Sequence, residues 1–143
     1  MKINIPGSLP GLNEYIQAER THRQKGAALK REAQELIEWE ISQQIDRPLR
    51  EPVTMHYLWV ERDRRRDKDN ISSMGRKLIQ DAMVAIGALK NDGWANIEGF
   101  TDSFSVDAGN PRIEIDIKEA PEHAKARRHR GPPRSRRKAD RPD

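Results

Sequence analysis

Two carboxylates lie two positions apart in a strongly basic stretch, Arg64–Asn70, which reads RRRDKDN. In an extended segment, side chains two residues apart point the same way, so Asp67 and Asp69 could bind one ion. Carboxylate oxygens are the ligands that hard ions such as Mg²⁺ or Mn²⁺ prefer. Aspartate is also common at turns and helix N-caps, and the spacing alone is more typical of that role. Their position between a strand and a helix, whose dipole favours an anion, supports the metal hypothesis.

A six-coordinate magnesium ion needs more than two carboxylates unless substrate phosphate completes its shell. Asp92, in the turn KNDGW, is the candidate for the third carboxylate. The helix predicted between the two groups has about 18 residues and spans about 27 Å. Asp92 can therefore approach Asp67 only if the chain reverses or if a partner subunit supplies its copy. The pattern alone favours the simpler alternative that NDG is a tight turn.

Basic side chains near the acids have the chemistry to bind phosphate. Arg64, Arg65 and Arg66 precede the acids and could hold a phosphodiester backbone. Lys77 either forms a surface pair with Asp81, four residues on along a helix, or faces the site and neutralises a phosphate. A purely electrostatic DNA clamp would not include two aspartates, whereas metal-dependent phosphodiester hydrolysis uses both signs of charge.

Hydrophobic periodicity predicts the elements that must position these side chains. Strands are expected at KINIP, Val53–Glu61, Ile97–Val106 and Arg112–Glu119, and helices over about Lys25–Ile45 and Asn70–Ala88. Asp69 or Asn70 is the expected N-cap of the second helix, and GSLPGLNEY is expected to be a loop. The order β-α-β-α-β-β predicts an α+β fold, a single domain over residues 1–120 whose mixed sheet is covered by two helices.

The basic charge of the chain is concentrated at its C-terminal end. From Ala124 onward there are nine Lys and Arg against two Asp, or +7, which leaves 18 basic and 21 acidic residues, or −3, before it. Residues 121–143 lack apolar side chains that could offset the entropy of ordering, so they are predicted to form a disordered basic tail. Such a tail could bind phosphate, or it could simply be a solvated segment.

Composition excludes several kinds of site and location. The 143 residues include no cysteine and only four histidines without zinc-ligand spacing, so a bound metal must be held by carboxylates. No stretch approaches the roughly 20 apolar residues of a membrane span, and the first residues lack the apolar core of a signal peptide. We therefore expect no membrane partner and a cytoplasmic location.

At these motifs the sequence resembles the RusA family of Holliday junction resolvases, small enzymes of bacteria and their phages. The similarity covers about residues 1–119 and includes IPGSLPGLNEY, RRRDKDN, KLIQDAMVAIGALKNDGW and IEIDIKE. The combination of DxDN, a K-x-x-x-D helix and an acidic turn about ten residues later is more specific than any one of these pieces. The resemblance also implies the order of elements predicted above.

The resemblance implies metal-binding catalytic roles for Asp67, Asp69 and Asp92 and a catalytic or phosphate-contacting role for Lys77. Magnesium, or manganese in its place, would polarise the scissile phosphate and help activate water. The chain departs from the family at the first position of the acidic turn, which is Asn91. The interval before Lys77 is also about one helical turn longer, which returns it to nearly the same face.

The partners that the resemblance implies are a four-way DNA junction and a second copy of the chain. An isologous dimer matches the approximate two-fold symmetry of a junction and can make paired nicks in DNA recombination and repair. The side chains expected to contact the DNA are Arg64, Arg65, Arg66, Lys68, Asn70 and Arg76. The alternatives are a nuclease for other branched DNA, a non-catalytic phage DNA-binding module and an oligomeric scaffold.

Overall fold

A computed structural model describes residues 1–122 of the chain, which form four strands and three helices. The strands are β1 (Lys2–Pro6), β2 (Val53–Glu61), β3 (Ile97–Val106) and β4 (Arg112–Lys118), and the helices are α1 (Leu12–Thr21), α2 (Arg23–Ser42) and α3 (Lys68–Ala85). The order is therefore β-α-α-β-α-β-β. The predicted α+β fold is confirmed, with one helix more than expected.

The four strands form one mixed sheet in the order β1-β4-β2-β3. The central strand β2 runs antiparallel to β4, with Tyr57 opposite Ile115, and parallel to β3, with Tyr57 opposite Asp102. Strands β1 and β3 are the two edges. Because β2 and β3 are parallel, their carboxyl ends meet at the same end of the sheet, where the motif RRRDKDN follows β2.

The hydrophobic core lies between one face of this sheet and the helices. Alternate strand residues are buried, among them Ile3 and Ile5 in β1 and Ile113, Ile115 and Ile117 in β4, while the residues between them are more exposed. Helices α2 and α3 contribute most of the apolar stripes that the periodicity predicts, with Ile37, Ile41, Leu78 and Ala82 fully buried, but Leu36 of the predicted α2 stripe is 48% exposed. Each fully buried large aliphatic side chain contributes roughly 1.5–3 kcal/mol to folding.

Helix α1 occupies part of the segment that the sequence analysis assigned to a loop. A helix of ten residues is marginal by itself in water, and this one is polar over most of its surface. It forms because it packs on α2, with Tyr15 partly buried against the core. Tertiary contacts that no local pattern reveals therefore decide its structure.

Helix α3 begins and ends earlier than its periodicity suggested. It starts at Lys68, so its N-cap is Asp67 rather than Asp69 or Asn70. It ends before Gly87, whose φ of +78° lies in the left-handed region that favours glycine. There the amides of Gly87 and Ala88 donate to the carbonyls of Val84 and Met83 in a Schellman motif.

No helix within residues 1–122 is long and apolar enough to cross a membrane. From residue 123 onward, the basic segment predicted to be disordered lies outside the described residues.

Candidate functional site

Asp67 and Asp69 lie where the chain leaves β2 and enters α3. Asp67 has extended backbone angles, with φ of −64° and ψ of 148°, and Asp69 lies in the first turn of the helix. The two residues therefore do not share an extended segment, which corrects the geometry assumed from their spacing. Both carboxylates instead lie at the N-terminus of α3, where the helix dipole stabilises negative charge.

Neither carboxylate makes a hydrogen bond or an ion pair within the part of the chain that the structure describes. Asp67 occupies the N-cap position, yet its side chain accepts no hydrogen bond from the helix amides. Nearby Asp63, by contrast, accepts from the Arg65 amide at 3.0 Å and pairs with the Arg65 guanidinium at 3.5 Å. A purely structural cap or turn role would use the Asp67 carboxylate as the chain uses Asp63, so this geometry favours a ligand role.

The carboxyl ends of β2 and β3 and the start of α3 enclose a cleft of about 650 Å³. Its wall includes Glu61, Arg64, Asp67 and Lys68 on one side and Phe104, Ser105 and Val106 of β3 on the other. The ammonium group of Lys68 lies 5.6 Å from the centre of the Phe104 ring. The cleft therefore combines three carboxylates, of Glu61, Asp63 and Asp67, with three basic groups along an aromatic wall, and Asp69 lies outside its lining. Basic groups beside carboxylates that can hold a cation form a composition that can receive a phosphodiester.

Arg66 and Asn70 hold the N-terminal segment in place. The Arg66 guanidinium donates to the largely buried carboxylate of Glu61, to the carbonyl of Leu9 at 2.9 Å and to Glu14 at 3.1 Å. The Asn70 side-chain oxygen accepts from the amide of Asn13 at 2.7 Å. Both side chains were predicted to contact DNA, but their polar groups are engaged within the chain.

Arg76, also predicted to contact DNA, packs instead against β3. Its Nε lies 3.2 Å from Asp102 Oδ2 without hydrogen-bond geometry, and its guanidinium carbon lies 4.4 Å from the centre of the Phe100 ring. Asp102 also accepts from Trp59 Nε1 at 2.9 Å. Arg76 is thus held by charge and by ring stacking at the edge of the sheet.

Lys77 lies on the outer surface of α3, where 61% of its side chain is exposed and its ammonium is 3.8 Å from Asp81. Eight helical residues separate it from Asp69, or about 12 Å along the axis. The structure thus forms the surface pair that was one of the two sequence interpretations of Lys77. It does not bring Lys77 to the two aspartates within one chain.

Asp92 lies in the loop between α3 and β3, and this loop is attached to the opposite end of the sheet. The carboxylate of Glu51 accepts from the amide of Lys90 at 2.8 Å and from Asn96 Nδ2 at 3.0 Å. The first amide of β2, that of Val53, donates to the Asn96 carbonyl at 3.0 Å. The nine residues of β2 therefore separate this end from the carboxyl end by about 30 Å.

One chain does not supply the three-carboxylate site that the resemblance implies. Among the described residues, no three His, Asp or Glu side chains lie close enough together to hold a metal ion. Asp67 and Asp69 lie at one end of the fold and Asp92 at the other. The residues of a single chain therefore do not fit the three-aspartate magnesium site as predicted.

Sequence reasoning missed two features at the cleft. Glu61 ends the buried strand as a largely buried carboxylate, and Phe104 forms the aromatic wall. The parallel pairing of β2 with β3 brings Glu61 and Phe104 to the same cleft, and no local sequence pattern predicts that pairing. Glu61 could have been found from one sequence signal, because a buried strand that ends in an acidic residue is followed directly by a basic motif.

No protein-family model matches the chain, and no curated protein matches it. The resemblance to junction resolvases therefore rests on the sequence motifs alone.

Proposed function

We propose that the protein is a metal-dependent endodeoxyribonuclease that acts on branched DNA, with four-way junctions as its substrate. The observation that carries this proposal is the unpaired state of Asp67 and Asp69 in a basic stretch at a helix N-terminus. Five Arg and Lys residues accompany three Asp between positions 62 and 69, yet these two carboxylates pair with none of them in the described structure. Carboxylates left unpaired in this setting are suited to a divalent ion.

The basic side chains near the cleft fall into two groups. Some are engaged by partners within the chain, and others are exposed and could bind DNA. Arg64 and Lys68 line the cleft, and Arg65 is largely exposed beside it. Contacts of such basic groups with phosphates position a nucleic acid without reading its sequence. Arg66, which also lines the cleft, Asn70 and Arg76 have their polar groups engaged by partners within the chain. The predicted DNA contacts are thereby narrowed to Arg64, Arg65 and Lys68.

The test is cleavage of a synthetic four-way junction by the full chain with Mg²⁺, with Mn²⁺ and with a chelator. We expect nicks in the junction with either metal, none with the chelator, and much slower cleavage of a linear duplex of the same arm sequence. Asp69→Asn should bind the junction and not cut it, whereas Asp46→Asn, an exposed aspartate after α2, should cut as wild type does. Equal cleavage of junction and duplex would show that the protein is a nuclease without selectivity for four-way junctions.

A DNA-binding module without catalysis is the second candidate, and the absence of a three-carboxylate cluster in the described single chain favours it. Junction binding without cleavage in both metals would establish this alternative. A lack of measurable DNA affinity at low salt would instead support a scaffold role.

A further inference from the structure

One face of helix α2 points away from the core and carries two large exposed apolar side chains. Trp39 is 60% exposed and Leu36 is 48% exposed, whereas Ile37, on the other side of the helix, is fully buried. Glu32 and Glu35 are also exposed and lie beside Leu36 and Trp39, because residues three and four apart are neighbours on a helix surface. We call these four exposed residues the acidic-aromatic stripe of α2.

The charges of α2 are arranged against its helix dipole. Residues 23–31 contain four Lys and Arg and no acid, and residues 32–42 contain four Glu and no base. A helix dipole favours acids in the first turn and bases in the last, yet this helix has neither. Within residues 1–122 none of the four glutamates forms an ion pair, and only Glu38 has a side-chain hydrogen bond, from Gln34 at 3.3 Å. A negative surface that opposes the dipole and has no internal partner is suited to a cationic ligand.

We propose that the basic segment of the same chain, residues 123–143, docks on the acidic-aromatic stripe of α2. From Ala124 onward this segment has a net charge of +7, whereas the residues before it have −3. Within it, Arg130–Lys138 reads RGPPRSRRK and combines five basic residues with two prolines. Proline-rich segments bind exposed aromatic rings, arginine stacks on tryptophan, and basic side chains pair with glutamates. The segment therefore matches both the aromatic and the acidic part of the stripe.

The basic segment begins near the C-terminal end of α2. Glu119 binds Arg47 through both of its carboxylate oxygens. Arg47 follows Ser42, the last residue of α2, by five residues, which span at most about 17 Å. Trp39 lies nearly one turn before that end of the helix. The eleven residues from Glu119 to Arg130 extend to about 36 Å, so the segment can reach Trp39 within one chain.

The covalent connection makes a weak contact sufficient for docking. Exposed ion pairs contribute little one by one, but a short linker raises the effective concentration of the segment to the order of mM. Because the contact is mostly electrostatic and exposed, it should weaken as the salt concentration rises. DNA has a higher density of negative charge than α2, so DNA and the stripe compete for the same basic residues. The stripe therefore holds the segment in the DNA-free protein and releases it to phosphate.

Tryptophan indole signals in a ¹H–¹⁵N NMR spectrum test docking without any activity. Trp39 and Trp94 are both exposed, and Trp39→Phe and Trp94→Phe assign their signals. In the full chain, the segment is neutralised by the combined changes Arg134→Gln, Arg136→Gln and Arg137→Gln. This variant should shift the Trp39 signal and leave the Trp94 signal unchanged. An unchanged Trp39 signal would overturn the proposal.

An engineered disulfide identifies what occupies the stripe. The chain has no cysteine, so Ser135→Cys in the segment can be combined with Gln43→Cys, one helical turn after Trp39. Ser135→Cys with Gln24→Cys, an exposed position at the basic end of α2, is the matched control. Under mild oxidation we expect at least about fivefold more intramolecular disulfide for the Gln43 pair than for the Gln24 pair.

Trp39→Ala separates docking from simple proximity in this experiment. The excess of the Gln43 disulfide should largely disappear in this background, because the aromatic part of the stripe is lost. Equal yields for the two pairs, or an excess that survives Trp39→Ala, would overturn the proposal. A disulfide formed mainly between two chains would assign the stripe to a second copy instead.

DNA binding by stripe variants measures the competition. Glu32→Gln/Glu35→Gln should raise the affinity of the full chain for a DNA duplex severalfold at low salt, because the basic segment is released to phosphate. The rise should vanish when the segment is neutralised. Glu19→Gln/Glu98→Gln removes the same charge from exposed positions outside the stripe and is the matched control. An equal rise in the control would show an effect of net charge alone and would contradict the competition.

Docking does not depend on the proposed nuclease activity, and the two can fail separately. A protein that shows the Trp39 shift and the Gln43 disulfide but never cuts DNA would refute the nuclease and leave docking intact. Junction cleavage without the shift or the disulfide would do the opposite.

Discussion

The two ends of the sheet differ in how completely their charged residues pair within the chain. At the amino end of β2, Glu119 binds Arg47 through both carboxylate oxygens and accepts from the Arg50 amide, while Glu51 holds the loop before β3. At the carboxyl end, Asp67, Asp69 and Arg64 make no such bonds within residues 1–122. The first end uses these charges to fix the chain. The second pairs Arg66 with Glu61 but leaves Asp67, Asp69 and Arg64 available to a ligand.

This difference separates residues that look alike in the sequence. Arg64, Arg65 and Arg66 are consecutive, yet only Arg66 is deeply engaged in the fold. Substitutions at the two ends should therefore have different consequences. At the carboxyl end, removing an unpaired charge should affect activity and leave stability unchanged. At the amino end, removing a paired charge should affect stability alone.

The largest effect is expected for Asp67→Asn, which removes one of the unpaired carboxylates. Cleavage of the junction should fall at least about a hundredfold, as expected for loss of a metal ligand. The free energy of unfolding should change by less than about 0.5 kcal/mol because no internal contact is lost. Chemical denaturation and cleavage assays on the same preparation check both statements. A large loss of stability would show that Asp67 is a structural cap, and Asp46→Asn is the matched control.

Arg66→Ala should cause the largest loss of stability among the three consecutive arginines. It leaves Glu61, a largely buried carboxylate, without its partner and detaches the carbonyl of Leu9, so we expect a loss of about 2 to 3 kcal/mol. Arg65→Ala is the matched control, because its pair with Asp63 is exposed and should contribute less than about 0.5 kcal/mol. Urea denaturation measures both. Equal effects would refute the distinction between the two arginines.

Glu119→Gln should have a smaller and pH-dependent effect at the amino end. Hydrogen bonds from Arg47 lower the pKa of Glu119 from its ordinary value of 4.5 to about 2. Since the folded pKa is lower than the unfolded one, the carboxylate stabilises the fold above about pH 4.5, and this contribution is lost as the pH falls toward 2. We expect Glu119→Gln to cost about 1 to 2 kcal/mol at pH 6.

Denaturation at a series of pH values measures this contribution. The difference between wild type and Glu119→Gln should narrow steadily between pH 4.5 and pH 2. A difference that stays constant over this interval would contradict the ion-paired state of Glu119.

The smallest effect is expected for Arg64→Ala, an exposed base at the rim of the cleft. Loss of one phosphate contact should lower junction affinity severalfold and reduce the slope of the salt dependence by about 1. Stability should not change. Binding measured by fluorescence anisotropy over a range of salt concentrations tests this. Arg20→Ala, in the last turn of α1, is the control and should leave the slope unchanged.

The sequence predicts most of the fold because burial of one sheet face and one helix stripe leaves a clear periodic signal. The alternation of Ile113, Ile115 and Ile117 and the stripe through Leu78 and Ala82 are examples. Helix α1 could not be predicted in this way. It is short and polar, and it depends on contacts with α2, on the hydrogen bond that Arg66 donates to Glu14 and on the one that Asn70 accepts from the Asn13 amide.

The candidate site could be predicted only in part for a similar reason. The motif RRRDKDN could be placed between a central strand and a helix, because the strand pattern before it and the helix pattern after it are both clear. This prediction located Asp67 and Asp69 at the exit of β2. The position of Asp92 depends on how the loop after α3 binds Glu51, a tertiary contact that has no local sequence pattern. The structural roles of Arg66 and Arg76 likewise depend on tertiary partners, Glu61 for Arg66 and Asp102 for Arg76.

The central claim is that Asp67 and Asp69 are left unpaired in order to bind a divalent ion beside DNA. Calorimetric titration of the full chain with Mn²⁺ tests it most directly. We predict saturable binding by wild type, unchanged binding by Asp46→Asn, and at least about tenfold weaker binding by the double variant Asp67→Asn/Asp69→Asn. Equal affinity of wild type and double variant for Mn²⁺ would contradict the claim.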